Sequence, residues 1–93
     1  MKFDWDNRKA EANLKAHNVS FDEAQEAFFD PSAIEFYDAD HSTRTEKRYN
    51  LIGLSSRRLL FVVYTELEGP TVWIISARKA ENKQRKLYEE DNS

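Results

Sequence analysis

Leu59-Leu60-Phe61-Val62-Val63-Tyr64 is apolar at both alternating parities and dense in β-branched and aromatic residues. Such a stretch fits a central strand whose two faces are both covered. With Thr65 it is an uncharged run far too short to cross a bilayer, which needs about 20 apolar residues. On either side lie two more strand-like segments, Glu46 to Leu54 and Thr71 to Ala77. The connections, Ser55-Ser56-Arg57-Arg58 and Leu67-Glu68-Gly69-Pro70, are short enough for antiparallel hairpins. A fourth strand, Ile34 to Tyr37, precedes them across a polar loop from Asp38 to Thr45.

The first third reads differently. Phe3-Asp4-Trp5 alternates as a short edge strand. Asp6 is a suitable N-cap for a helix from Asn7 to His17, with Ala10, Leu14 and His17 on one face. Asn18 suits its left-handed C-terminal cap. Ser20-Phe21-Asp22-Glu23 has the form of a capping box, in which Ser20 and Glu23 satisfy each other's amides. A second helix is predicted from Phe21 to Phe29, with Phe21, Ala24 and Phe28 inward. Asp30-Pro31 ends it, because the residue before proline avoids the helical region. Asn82 can cap a last helix through Glu90. The order is β-α-α, four strands, then a helix. It predicts an α+β fold with an antiparallel four- to five-stranded sheet, two N-terminal helices and one C-terminal helix.

Ninety-three residues suit a single domain, 1–93. The 6 Phe, 4 Tyr and 2 Trp exclude a disordered chain. The absence of cysteine excludes a disulfide framework, a thiolate zinc site and a cysteine nucleophile, and suits a reducing cytoplasm. No basic-then-apolar segment opens the chain, so no secretory leader is expected, and no membrane association either. The net charge of −3 argues mildly against nucleic acid. Its distribution does not: residues 1–43 hold ten acids and four bases, residues 44–88 four acids and ten bases. Such a division can build a bipolar surface.

Neither His17 nor His41 has a partner at metal-ligand spacing. Asp38, Asp40 and His41 could hold a cation in their loop, but solvated loop charge is the simpler explanation. Two glycines exclude a glycine-rich phosphate loop. What remains is a set of cations with a few acids and phenols. Glu46 and Arg48 are two apart on a strand and so share a face, about 7 Å apart. Arg78 and Lys79 follow the last strand. Arg85 and Tyr88 share a side of the last helix. RNA cleavage without a metal needs a proton acceptor for the 2′-hydroxyl, cations for the phosphorane and a proton donor for the leaving oxygen. These residues could supply the parts. On composition alone the simpler reading is ion pairs across a sheet, with Arg78 satisfying a carboxylate or a helix end.

The order of residues resembles the BrnT family of type II toxin–antitoxin toxins, nearly end to end. The matching pieces are Phe3-x-Trp5-Asp6, Lys9-Ala10-x-x-Asn13, His17-x-Val19-Ser20-Phe21-x-Glu23-Ala24 and Phe28-x-Asp30-Pro31. They continue with Glu46-x-Arg48-x-x-x-Ile52-Gly53 and Ile74-Ile75-Ser76-Ala77-Arg78-x-Ala80, and close with Arg85 and Tyr88. The departure is His17-Asn18, where the family usually has His-Gly. The resemblance implies a RelE-like fold and a ribonuclease that cleaves mRNA and blocks translation, acting on RNA free or on the ribosome. It also implies a BrnA-type antitoxin with a ribbon-helix-helix domain, so that DNA is met only through that partner. Given the family, Arg48 and Arg78 are candidates to meet the scissile phosphate. Glu46 would accept a proton or orient Arg48, and Tyr88 or Lys79 would protonate the leaving oxygen. Lys79, Arg85 and His17 are further RNA contacts. No metal or cofactor is called for. A non-catalytic corepressor that pairs with the DNA-binding partner is the alternative. An exposed apolar patch for the antitoxin is expected on the sheet or its flanking helices.

Overall fold

In chain order the elements are β1 (Lys2–Asp4), α1 (Asn7–His17), α2 (Phe21–Ala27), β2 (Ile34–Asp38), β3 (Arg48–Leu54), β4 (Leu59–Leu67), β5 (Thr71–Lys79) and α3 (Asn82–Asp91), in a computed structural model that describes residues 1–93. The last four strands form the expected meander, each antiparallel to the next. β1 adds to its far edge, parallel to β5, so the sheet is mixed and ordered β1-β5-β4-β3-β2. The parallel pair lies at the edge because β1 leads into two helices that cross one face before the chain returns as β2.

The helix signals act as read, with three differences; one is that Glu81, not Asn82, caps α3, its N–H donating to Gln84 Oε1 at 2.8 Å in a capping box. Asp6 Oδ1 accepts from the N–H groups of Arg8 (2.8 Å) and Lys9 (3.2 Å), and Asn18 adopts the left-handed conformation at φ 56°. Ser20 Oγ accepts from the Glu23 N–H at 3.0 Å. The Glu23 carboxylate does not complete the box. It lies buried against Arg58, accepting from Nη2 at 2.7 Å and Nε at 2.9 Å, and takes the Ser55 hydroxyl at 2.8 Å. A full guanidinium pair outweighs one amide as a partner. In α1 the buried residue is Asn13, while Leu14 is 49% exposed.

α1 and α2 cover one face of the sheet. There Val19, Phe21, Ala24 and Ala27 pack on Leu51, Leu60, Val62, Tyr64, Val72, Ile74 and Ala77. α2 lies so close to β3 that a Cβ on Gly53 would sit 2.6 Å from the Ala27 carbonyl oxygen. The opposite face is only partly covered. α3 closes one end, where Tyr88 packs with Ile34 and Phe61 on Ile52, Leu59 and Ala80. The remainder of that face stays open. No helix is long and apolar enough to cross a membrane.

Candidate functional site

A register shift in β5 opposite Val63 and Tyr64 decides what the open face presents. Ahead of it, Val72 and Ile74 point into the helical core; beyond it, Ala77 does. The extra residue, Ile75, switches the parity, as a β-bulge does. Ser76 and Arg78 are thereby placed on the open face, beside Val63 and Phe61 of β4. On β3 the same face carries Arg48, Asn50 and Ile52, opposite Asp38, Phe36 and Ile34 of β2.

A cavity of about 370 Å³ lies on this face. Asn50, Phe61, Val63 and Ser76 form its floor, with Arg48 and Arg78 toward opposite ends. The C-terminal residue of α1, His17, closes one side, and Asp38 and His41 line the β2 end. Arg48 and Arg78 are separated by one strand laterally and four residues along it, roughly 16 Å between backbones by sheet spacings. Their long side chains therefore approach the same space from opposite ends.

Each arginine is held differently. Arg48 Nε donates to Glu46 Oε1 at 2.8 Å, and its backbone N–H donates to Ser42 Oγ at 2.8 Å. Ser42 in turn donates to the Asp38 carbonyl at 2.6 Å, which fastens the 39–47 loop to the strand ends. The Arg78 guanidinium lies over the Phe61 ring, 5.0 Å from its centroid. That contact orients a cation without consuming its hydrogen-bond donors. Arg78 Nε and Asn50 Oδ1 are buried without a hydrogen-bond partner. Such atoms are rare in folded chains, and these two belong to residues that border the same cavity.

The structure thus brings together Arg48, Arg78 and His17 of the residues singled out in the sequence. Glu46 stands outside the cavity and touches it through Arg48. Strand pairing begins at Arg48 and Glu46 sits in the preceding turn, where Thr43 Oγ1 accepts its N–H at 3.0 Å. Tyr88 is not at the cavity. Its hydroxyl donates to Asp30 Oδ2 at 2.7 Å, and burial followed by that hydrogen bond pushes its titration upward. It ties α3 to the turn after α2. Lys79 and Arg85 face a separate shallow groove at the start of α3. Sequence reasoning missed Asn50, which continues the Arg48 face at period two, and set aside Asp38 and His41 as solvated loop charge.

The family model described as the ribonuclease toxin BrnT of type II toxin–antitoxin systems matches residues 5–84. Among solved structures, the chain is similar to the Brucella abortus ribonuclease toxin BrnT. The two share 24% identity with a TM-score of 0.67, over 88% of this chain and 99% of that one, a likeness of fold. No curated protein matches the chain.

Proposed function

Because the chain belongs to the BrnT family of ribonuclease toxins of type II toxin–antitoxin systems, we propose that residues 1–93 form a toxin domain that cleaves mRNA in the cytoplasm at the open face of its sheet. One observation carries this reading: two arginines and a histidine, drawn from β3, β5 and the end of α1, converge on one cavity with a buried, unpartnered Arg78 Nε. A planar guanidinium presents paired donors that match phosphate oxygens and stays charged at any working pH. Arg78 and Arg48 meet the scissile phosphate and the charge that builds on it. Glu46 keeps Arg48 aimed. An ionised carboxylate beside the phosphate would repel it, so a position behind the arginine suits Glu46 better than one in the cavity. His17 contacts the RNA from the side.

The charged groups of the cavity are two guanidiniums and the lone carboxylate of Asp38. That donor set favours an anionic ligand, and it supports cleavage through the RNA's own 2′-hydroxyl without a metal. A type II toxin implies an antitoxin, for which a BrnA-type protein with a ribbon-helix-helix domain is the partner proposed. The purified chain, incubated with RNA in excess chelator, should cut it. Primer extension on cellular mRNA after expression without the antitoxin should show new 5′ ends. Intact RNA in both experiments would leave the corepressor role as the better account.

A further inference from the structure

Both histidines of the chain line the cavity, although 23 intervening residues separate them. They reach it by unrelated routes, His17 as the last residue of α1 and His41 from the loop after β2. His41 is not loose in that loop. Its Nδ1 lies 2.9 Å from Asp38 Oδ2 and 3.1 Å from Oδ1, and its backbone N–H donates to Oδ1 at 3.3 Å. The Asp38 side chain is only 14% exposed and sits opposite Arg48 in the β2–β3 register. The His41 ring is 70% exposed, so its other edge is free to meet a ligand.

A carboxylate on Nδ1 fixes the tautomer with the proton on that nitrogen. It leaves Nε2 with a lone pair that can accept a proton. His17 has no carboxylate partner and stands as the last residue of α1, at the side of the cavity. The two rings thus differ in their surroundings: a carboxylate holds His41, and none holds His17.

Resting on the ribonuclease reading above, we propose that His41, positioned by Asp38, removes the proton of the attacking 2′-hydroxyl, and that His17 supplies the proton to the departing 5′ oxygen. The 2′ oxygen bonds to phosphorus and the P–O5′ bond breaks. The 2′-hydroxyl proton ends on His41 Nε2, and the His17 proton ends on the 5′-hydroxyl. The products are a 2′,3′-cyclic phosphate and a 5′-hydroxyl end. Arg48 and Arg78 meet the phosphorane charge between the two rings. Asp38 is a positioning residue, since its carboxylate holds His41 by both the ring and the backbone N–H.

The test is single-turnover cleavage of a short RNA by the full chain, with the wild type, H41A, H41Q, D38N, H17A and R78A compared and folding checked by melting. His41→Ala and His17→Ala should each slow cleavage by about 10²–10⁴, with RNA binding kept in His41→Ala. Asp38→Asn should slow it less than His41→Ala. Added imidazole should restore part of the H41A rate and none of the R78A rate. A 2′-deoxy substitution at the cleaved position should block the wild type. If H41A and H41Q cut at the wild-type rate, the acceptor assignment is wrong while the ribonuclease reading stands. The acceptor assignment also fails if H41A is slow only because RNA binding is lost and imidazole restores nothing. If the wild type leaves RNA intact, both fall.

Discussion

The side chain of Asn13 and the backbone of Ala77, 64 residues apart, exchange two hydrogen bonds: Nδ2 donates to the Ala77 carbonyl at 2.8 Å and Oδ1 accepts the Ala77 N–H at 3.1 Å. Nδ2 also donates to the Val19 carbonyl at 2.9 Å. β1 pairs only with Thr71 to Trp73. Beyond it the edge of β5 lacks a strand, and one carboxamide takes the place of one. The same contact fixes α1 against the residue preceding Arg78, and so sets where His17 meets the cavity.

Asn13→Ala should therefore destabilise the chain by about 2–4 kcal/mol, because buried backbone groups at Ala77 and Val19 lose partners. Denaturant unfolding measures it. Asn13→Asp should also be destabilising, since a carboxylate cannot donate to either carbonyl. Unchanged stability in both variants would show that water replaces the carboxamide freely.

Gly53→Ala tests the approach of α2 to β3. The added Cβ would meet the Ala27 carbonyl oxygen at 2.6 Å, backbone against backbone. A cost of about 1–3 kcal/mol is expected from forced separation of the two elements. A thermal midpoint equal to the wild type's would mean that the helix moves away without loss.

Asp30 predicts how stability responds to acid. Burial pushes its carboxyl upward, but hydrogen bonds from the Leu54 N–H, the Tyr88 hydroxyl and the Ser32 N–H outweigh burial and hold it below the usual range. The Arg58 hydrogen bonds do the same for Glu23. A carboxyl depressed in the folded state stabilises it above the unfolded value, about 4. That stability is lost as pH falls through the folded value. The melting midpoint should hold steady from pH 7 to about 5 and fall steeply below about 4. Asp30→Asn should lower it at pH 7 and flatten the fall. An unaltered acid slope in that variant would remove Asp30 from the account.

The local signals in the sequence reached most of the fold. Asp6, Ser20 and Pro31 mark helix ends through their own backbone neighbours, and short hairpin loops leave the last four strands little choice but a meander. Long-range partners were not legible. Asn13 is inward because the open edge of β5 needs an amide, and nothing near Asn13 in sequence says so. Glu23 leaves its capping box for an arginine 35 residues away. In the site, Arg48 stands out as a cation on a strand and Arg78 as one just past a strand's end, but β5 runs on to Lys79, and the bulge at Ile75 that puts Arg78 on the open face has no local signature. Tyr88 was a reasonable proton donor by its spacing from Arg85, until Asp30 claimed its hydroxyl.

Glu46 separates orientation from chemistry. If it acts only by holding Arg48 Nε, Glu46→Gln should keep much of the activity, since a side-chain amide oxygen can still accept that hydrogen bond. Glu46→Ala should weaken cleavage less than Arg48→Ala does. Equal losses in E46Q and R48A, measured on the same RNA, would instead give Glu46 a direct part in proton transfer.

The proposed site stands on Arg48 and Arg78 meeting the phosphate in the cavity on the open face. The most direct measurement is the RNA cleavage rate of Arg48→Ala and Arg78→Ala, each confirmed folded by melting and by capture of the antitoxin. Removing one donor to the transition state costs about 10²–10³ in rate, so both variants should fall by at least that much and lose toxicity on expression. Arg48→Lys should recover little, because the planar fork is gone. Cleavage at the wild-type rate by both folded alanine variants would contradict the account and place the site elsewhere on the chain.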